Sequence, residues 1–343
     1  MTQAELAERA GRPRKTINEI VRGQAAITPD TAIQLERVLG IPASFWNRRQ
    51  QQYDESRARL EALERLRGYG EWPRNFPTSQ MARHGWIPPC KTSVQKVEAL
   101  LRFFGIASPK EWDQLWTIQR LGVVFRKSSS FQTNSYALCA WIRQGELQAA
   151  GIGCPAFERR NLESALLGVK DLVRDLPDGF DRVLVRRMAL CGVAVAFVPL
   201  IRGVHAWGAT RWIKADKAVM VFSLRGRYED IFWFSFFHEA AHLLLHGKRE
   251  AFVEETGRAE STAEKEADAF ARDLLVDASL WQEFVSGRRL YSALDVTEFA
   301  GKAGVSPAII VGRLQHEGRI DKSALNGLRR KVVFAPANNE KNG

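Results

Sequence analysis

The clearest chemical signal of the sequence is a set of three histidines spaced four residues apart. The stretch FHEAAHLLLHG (237–247) contains His238, His242 and His246, with Glu239 directly after the first of them. Residues four apart project from one face of a helix, one turn from each other. Two imidazoles placed this way can both bind one zinc ion at about 2.0–2.1 Å. A carboxylate beside the metal can accept a proton from the attacking water, so Glu239 is the candidate general base of a zinc hydrolase.

The third histidine is not expected to bind the same ion. Eight residues of straight helix span about 12 Å, so His246 is interpreted as a packed or hydrogen-bonded side chain near the helix C-terminus. A further ligand is expected from AEKEADAFARDLLV, an amphipathic helical pattern that begins at residue 263. Glu264 and Asp268 share one face of it, and they can supply a metal ligand and a carboxylate that supports a ligand histidine. Glu266 lies about 200° round the helix from Glu264 and should point elsewhere.

Two other interpretations of this region are weaker. In a merely structural helix, two histidines and a glutamate would each need a separate partner inside an aromatic shell, which is costly. An intramembrane protease would need about 20 apolar residues for one span. The apolar stretch 231–245 is shorter than that, it is interrupted by charged and imidazole groups, and Asp230 and Lys248 flank it. A buried helix of a soluble protein is the better interpretation.

The two motifs together resemble the ImmA/IrrE family of zinc metallopeptidases. Members of that family carry HExxH, often followed by LLLH, and then E-x-x-A-[ND]-x-F-A with two leucines; this chain has HEAAHLLLH and EKEADAFARDLL. The resemblance implies a zincin-like α+β fold, a gluzincin-like endopeptidase, and Zn²⁺ held by His238, His242 and Glu264. It further implies Glu239 as the catalytic base and Asp268 as the partner of a ligand. Ala241 replaces the usual glycine, and Val276–Asp277 replaces the usual proline; neither change removes a ligand.

A second pattern, at the start of the chain, indicates a helix-turn-helix. TQAELAERA and RKTINEIV are amphipathic, and Gly11 and Pro13 separate them. The second helix of such a pair enters the major groove, where arginine and lysine suit guanine and asparagine suits adenine. The alternative is an ordinary helix pair with a basic solvent face. The candidate DNA-contacting residues are Gln3, Arg14, Lys15, Thr16, Asn18 and Arg22.

This segment is similar to XRE-type, phage-repressor-like regulators, and its continuation to about residue 55 resembles the HigA branch of antitoxin-repressors. The resemblance implies a double-stranded DNA operator, palindromic and bound by a homodimer. The overall charge agrees with a nucleic-acid partner, since 50 Lys and Arg against 39 Asp and Glu give a formal net charge of +11. The four cysteines form no CxxC pair, which favours a reducing cytoplasm over a disulfide framework. No signal peptide is visible, so a cytoplasmic location is expected.

The 343 residues are expected to form several domains in an α+β multidomain chain. We expect helices at 29–39 with Thr28 as N-cap, at 44–66 with Ser44 as N-cap, at 91–105, at 109–118 and at 161–176. We expect strands at 123–126, 193–198 and 219–223, with 208–213 as an edge strand that pairs with an extended substrate. Residues 67–90 resemble an ordered linker. The predicted domains are an all-α helix-turn-helix domain (1–55), a helical connector (56–118), the peptidase domain (119–285), and a C-terminal helical subdomain with a basic tail (286–343).

Two points stay open in the sequence. His205, Arg211 and Tyr228 are equal candidates for polarising the scissile carbonyl. The segment 296–320 scans as a helix-turn-helix and is either a structural cover of the peptidase or a second DNA or partner surface.

The expected function is a DNA-binding regulator whose zinc endopeptidase cleaves a repressor or antitoxin and so derepresses genes for stress response, mobile elements or toxin control. The alternative is a HigA-like antitoxin-repressor of a toxin–antitoxin pair, in which the peptidase-like half only binds a toxin or senses a signal.

Overall fold

A computed structural model describes residues 1–116, 134–223, 228–246 and 262–332. The predicted strand at 123–126 lies outside these ranges. The chain divides into two compact units, one formed by Met1–Gly70 with Thr92–Val97 and the other by Glu71–Lys91 with Glu98–Gly343. Most of the described secondary structure is helical, with one small sheet, which confirms the α+β class. No helix among these residues combines the length and the apolar composition needed to cross a membrane.

The first unit contains four helices that follow the predicted pattern closely. Thr2 caps the first one through a capping box with Glu5, and Gly11, at φ 61°, makes the turn to the second. Ala7, Ala10, Ile17, Ala32 and Leu35 are buried between the helices. The helices are α1 (Gln3–Arg9), α2 (Arg14–Val21), α3 (Pro29–Leu39) and α4 (Ala43–Arg67).

The start of α4 differs slightly from the prediction. The helix begins at Ala43, before the expected cap Ser44, and the residue at its N-cap is Pro42. The carboxylate of Glu36 in α3 accepts a hydrogen bond from the backbone N–H of Ala43. A side chain from a neighbouring helix therefore satisfies an end group that the sequence pattern assigns to a local cap.

The second unit is built on a three-stranded sheet with the order β1-β3-β2. The strands are β1 (Val193–Val198), β2 (Gly208–Lys214) and β3 (Lys217–Ser223). β1 runs parallel to β3, and β2 runs antiparallel to β3. β2 is therefore an edge strand of the described sheet, as predicted.

Helices cover both faces of the sheet. Successive side chains of each strand point to opposite faces, so each strand contributes residues to two apolar clusters. Val193, Val195 and Met220 join one apolar cluster, and Ala194 and Val221 join the other. The helices that follow α4 along the chain are α5 (Thr78–Arg83), α6 (Ser93–Phe104), α7 (Pro109–Leu115), α8 (Ser135–Ala150), α9 (Arg159–Gly168), α10 (Lys170–Asp175), α11 (Phe180–Ala189), α12 (Glu229–Leu245), α13 (Thr262–Leu275), α14 (Ala278–Val285), α15 (Ala293–Ala303) and α16 (Pro307–His316), with short 3₁₀ turns at Trp72–Asn75 and Asn326–Leu328. The first five residues of α6 belong to the first unit, and the other helices belong to the second.

Two segments differ from their predicted form. The stretch expected as one helix at 161–176 is divided into α9 and α10 at Val169. The stretch interpreted as a linker carries a 3₁₀ turn and α5, and it buries Phe76, Met81 and Ile87. Its prolines and glycines mark tight turns within a packed core, a pattern that composition alone does not distinguish from a linker.

The C-terminal helices serve the fold. α16 buries Ala308, Ile310 and Leu314 and packs against α12. Beyond it, Arg329 forms a two-pronged ion pair with Asp230, at 2.8 and 3.1 Å, in the first turn of α12. Arg330 does the same for the buried Glu229, at 2.8 Å for both contacts. The segment predicted as a second helix-turn-helix (296–320) therefore packs against the helix that carries HExxH, and Arg329 and Arg330, which follow that segment, anchor the first turn of this helix.

Candidate metal centre and nucleic-acid interface

Helix α12 places the HExxH residues inside the second unit. Fourteen of its seventeen residues are buried. Burial of the apolar residues stabilises the helix in the core, and the polar residues of the same helix are buried with them. Helix α13 packs along it and buries Ala263, Ala267, Ala271 and Leu275 on its apolar face. The polar face of α13 then meets the histidines of α12.

Three ligand-type groups converge where these helices meet. The Nε2 atoms of His238 and His242 lie 3.1 Å apart. Carboxylate oxygens of Glu264 lie 3.3 Å from the first nitrogen and 3.6 Å from the second. Ligands about 2.0–2.1 Å from a tetrahedral zinc ion stand about 3.3 Å from one another. The nitrogen and oxygen donors of these residues therefore fit a zinc ion in both type and spacing.

Each histidine of this group is held at its other ring nitrogen. The Nδ1 atom of His238 lies 2.8 Å from Oδ1 of Asp268, and the Nδ1 atom of His242 lies 3.0 Å from Nδ1 of His246. Oε2 of Glu266 lies 3.1 Å from Nε2 of His246. Both Nε2 atoms are thereby turned towards Glu264, which is the arrangement that ligand histidines need.

The surroundings favour a positive charge at one histidine and a neutral ring at the other. Burial opposes the charged form of His238, but hydrogen bonds to Asp268 and Glu264 raise its pKa to about 9. Burial lowers the pKa of His242 to about 3, and the rings of His238 and His246 add to this effect. The carboxylates of Asp268 and Glu264 therefore stabilise a positive charge beside His238.

Glu239 is fully buried next to the edge strand of the sheet. The hydroxyl of Thr210 in β2 donates a hydrogen bond of 2.6 Å to Oε2 of Glu239. A Cβ atom added to Gly208 would lie 2.8 Å from Cγ of Glu239 and 3.0 Å from its Oε1. The carboxylate thus lies against the strand that was predicted to pair with substrate.

Residues 229–315 match the family model of the IrrE N-terminal-like domain. Residues 1–46 match a helix-turn-helix family model. The two matches, in this order along one chain, confirm the resemblance drawn from the motifs. No curated protein and no solved structure matched the chain. The IrrE N-terminal-like region contains α12 and α13, and with them Glu239 and all three candidate ligands.

Two of the three candidates for polarising a carbonyl have contacts elsewhere in the fold. Arg211 forms an ion pair with Glu146 and lies 5.8 Å from the ring centre of Trp116. The ring of Tyr228 lies 4.2 Å from the guanidinium carbon of Arg329.

The candidate DNA-contacting residues lie on the first two helices of the first unit. Gln3 is exposed in the first turn of α1, Arg14 and Lys15 are exposed in the first turn of α2, and Arg22 is exposed at its end. Thr16 and Asn18 are half-buried on the same helix. Ile17 is buried against the neighbouring helices. One face of α2 therefore packs in the core, and the face with Arg14 and Lys15 is exposed and accessible to a partner.

Sequence reasoning missed the partners that come from distant parts of the chain. Glu266 was expected to point away from Glu264, and it is not part of the ligand group. Its contact with His246, which lies beyond the last residue of α12, was not predicted. Thr210 and Gly208 contact Glu239 only because the sheet brings β2 against α12. For Gly208, the signal available in the sequence was a glycine at the start of a strand, which often marks a close approach.

Proposed function

We propose that this protein is a cytoplasmic, DNA-binding regulator whose IrrE N-terminal-like region is a zinc-dependent endopeptidase. The observation that carries the proposal is the convergence of the Nε2 atoms of His238 and His242 with the carboxylate of Glu264, at 3.1 to 3.6 Å from one another. His238, His242 and Glu264 would hold the metal, with Asp268 and His246 orienting the two rings. A zinc ion there would act as a Lewis acid and make a water molecule more acidic.

The protein's own groups then have separate tasks. Glu239, oriented by Thr210, accepts the proton of the attacking water and passes it to the amine that leaves when the peptide bond breaks. β2, an edge strand of the described sheet, pairs with the extended substrate, because an edge strand can form backbone hydrogen bonds with one further strand. Burial around α12 limits the access of bulk water to the carboxylate.

The first unit would bring this activity to DNA. Arg14 and Lys15 on α2 would reach base edges in the major groove, and Gln3 at the start of α1 would contact a phosphate. We propose that a homodimer binds a palindromic operator, and that cleavage of a repressor or antitoxin derepresses the genes under its control. The substrate class rests on the family resemblance.

The test is elemental analysis of the purified full chain combined with a cleavage assay against proteins encoded beside its gene. The proposal expects about one zinc per chain and a single specific cut in one of those proteins. The proposal would be contradicted if the purified protein held no metal. It would also be contradicted if the zinc-loaded protein cleaved neither its own chain nor any protein encoded beside its gene.

A further inference from the structure

A cavity of about 420 Å³ lies among α12, α13 and α16. Phe234, Leu275 and Ile309 line it with apolar surface, and Arg272, Arg313 and Lys322 add cationic groups. An apolar pocket with a few charged groups at its wall is a typical binding site.

This cavity adjoins the proposed catalytic residues. Phe234 lies one turn before His238 on α12, and the two ring centres are 6.4 Å apart. Arg272 lies one turn beyond Asp268 on α13, and Asp268 contacts His238 at 2.8 Å. Trp207 of the cavity wall directly precedes Gly208, which lies against Glu239. A chain bound along β2 with its scissile bond at Glu239 would therefore have a neighbouring side chain at the mouth of the cavity.

The charges of the wall favour an anion. Asp230 is the acidic residue of the lining, and Arg329 already neutralises it. Arg313 forms an ion pair with Glu317 at 2.9 Å, and its guanidinium carbon lies 4.2 Å from the ring centre of Trp281. Arg272 and Lys322 have no ion-pair partner among the residues that the structure describes. The half-buried Arg272 is therefore the cation best placed to receive a carboxylate.

We propose that this cavity is a specificity pocket, in which Arg272 receives an acidic side chain of the substrate next to the scissile bond. The proposal rests on the endopeptidase function proposed above. The apolar wall would contact the methylene groups of that side chain, and Arg272 would bind its carboxylate. Acidic residues at this position would be preferred over their amides and over basic residues.

The experiment uses the zinc-loaded full chain and a synthetic library of peptides with randomised positions, and mass spectrometry identifies the cleaved bonds. We expect Asp and Glu to be enriched at one position beside the cut. Arg272→Glu should reverse that preference towards Lys and Arg. Peptides matched except for Glu or Gln at this position should differ about tenfold in kcat/KM with the unaltered protein, since a hydrogen-bonded charge pair contributes at least that ratio.

Controls separate the pocket from general effects of charge and folding. Arg182→Glu makes the same change of charge at an exposed position of α11 and should leave the preference unaltered. Lys322→Glu changes the exposed rim and should weaken the preference even if Arg272→Glu fails to fold. Cleavage without acidic enrichment, or with the same enrichment in both Arg272→Glu and Lys322→Glu, would overturn this inference and leave the endopeptidase function standing. Absence of any cleavage by the zinc-loaded protein would overturn both.

Discussion

His242 and His246 meet through their Nδ1 atoms, 3.0 Å apart, and His246 continues to Glu266 at 3.1 Å. If Nε2 of His242 is to bind a metal, its Nδ1 must carry the hydrogen and donate it to Nδ1 of His246. His246 then carries its own hydrogen on Nε2 and donates it to the carboxylate of Glu266. One chain of hydrogen bonds therefore fixes both tautomers, as Asp268 does for His238.

The first prediction concerns this chain. His246→Ala and Glu266→Gln should keep the zinc site but weaken zinc affinity about 10- to 100-fold, the usual effect of removing the partner of a ligand. Competition with a fluorescent chelator measures that affinity. Asp273→Asn, an exposed acid on the same helix, is the matched control and should bind zinc as the unaltered protein does. Unchanged zinc affinity in His246→Ala would show that His246 does not orient His242. Complete loss of zinc in this variant would show that His246 is itself a ligand.

A second prediction identifies the carboxylate that binds the metal. Glu264→Ala should abolish stoichiometric zinc in the purified protein, as should His238→Ala and His242→Ala, because each removes one of three protein ligands. Glu266→Ala should retain the zinc. Elemental analysis of the folded variants measures the content. Zinc retained without Glu264 and lost without Glu266 would show that the ligand is the other glutamate.

The sequence predicted the two motif helices and the central strands because hydrophobic periodicity and end signals are local. The periodicity of α2 and the start of α3 at Pro29 needed no knowledge of the rest of the chain. The contacts of Glu239 with Thr210 and Gly208 could not be predicted, since they depend on how the sheet packs on α12. The contact between Glu266 and His246 was missed for a related reason. Helical angles place Glu266 away from the metal, but its partner is the histidine after the end of α12.

The third prediction tests the packing of β2 against the base. Gly208→Ala introduces a Cβ atom at 2.8 Å from Cγ of Glu239, which must displace the carboxylate. We expect kcat on the true substrate to fall by up to about 100-fold, while zinc content stays the same. Thr210→Val, which removes the hydroxyl, should lower kcat by a smaller factor than Gly208→Ala does. Thr210→Ser keeps the hydroxyl and should have a kcat close to that of the unaltered protein. A kcat unaffected by both Gly208→Ala and Thr210→Val would show that the strand does not orient Glu239.

A fourth prediction concerns DNA. Arg14→Ala and Lys15→Ala should each weaken operator binding by roughly 1–3 kcal/mol if the side chains reach base edges. Titration of fluorescent operator and random duplexes at one fixed salt concentration measures both affinities. Equal losses on the two duplexes would assign these residues to phosphates instead. If the unaltered protein distinguishes no operator from random DNA, the regulator proposal fails.

The most direct test of the central claim is Glu239→Gln. Glutamine keeps the size of the side chain and can still form a hydrogen bond with Thr210, but it cannot accept the proton of the attacking water. General acid–base catalysis contributes about 10²–10⁴ in rate, so cleavage of the partner protein should fall by at least that factor. Zinc content and operator binding should persist, and derepression in the cell should be lost. Normal cleavage and regulation in Glu239→Gln cells would contradict the account and favour an antitoxin-repressor whose peptidase-like region only binds its partner.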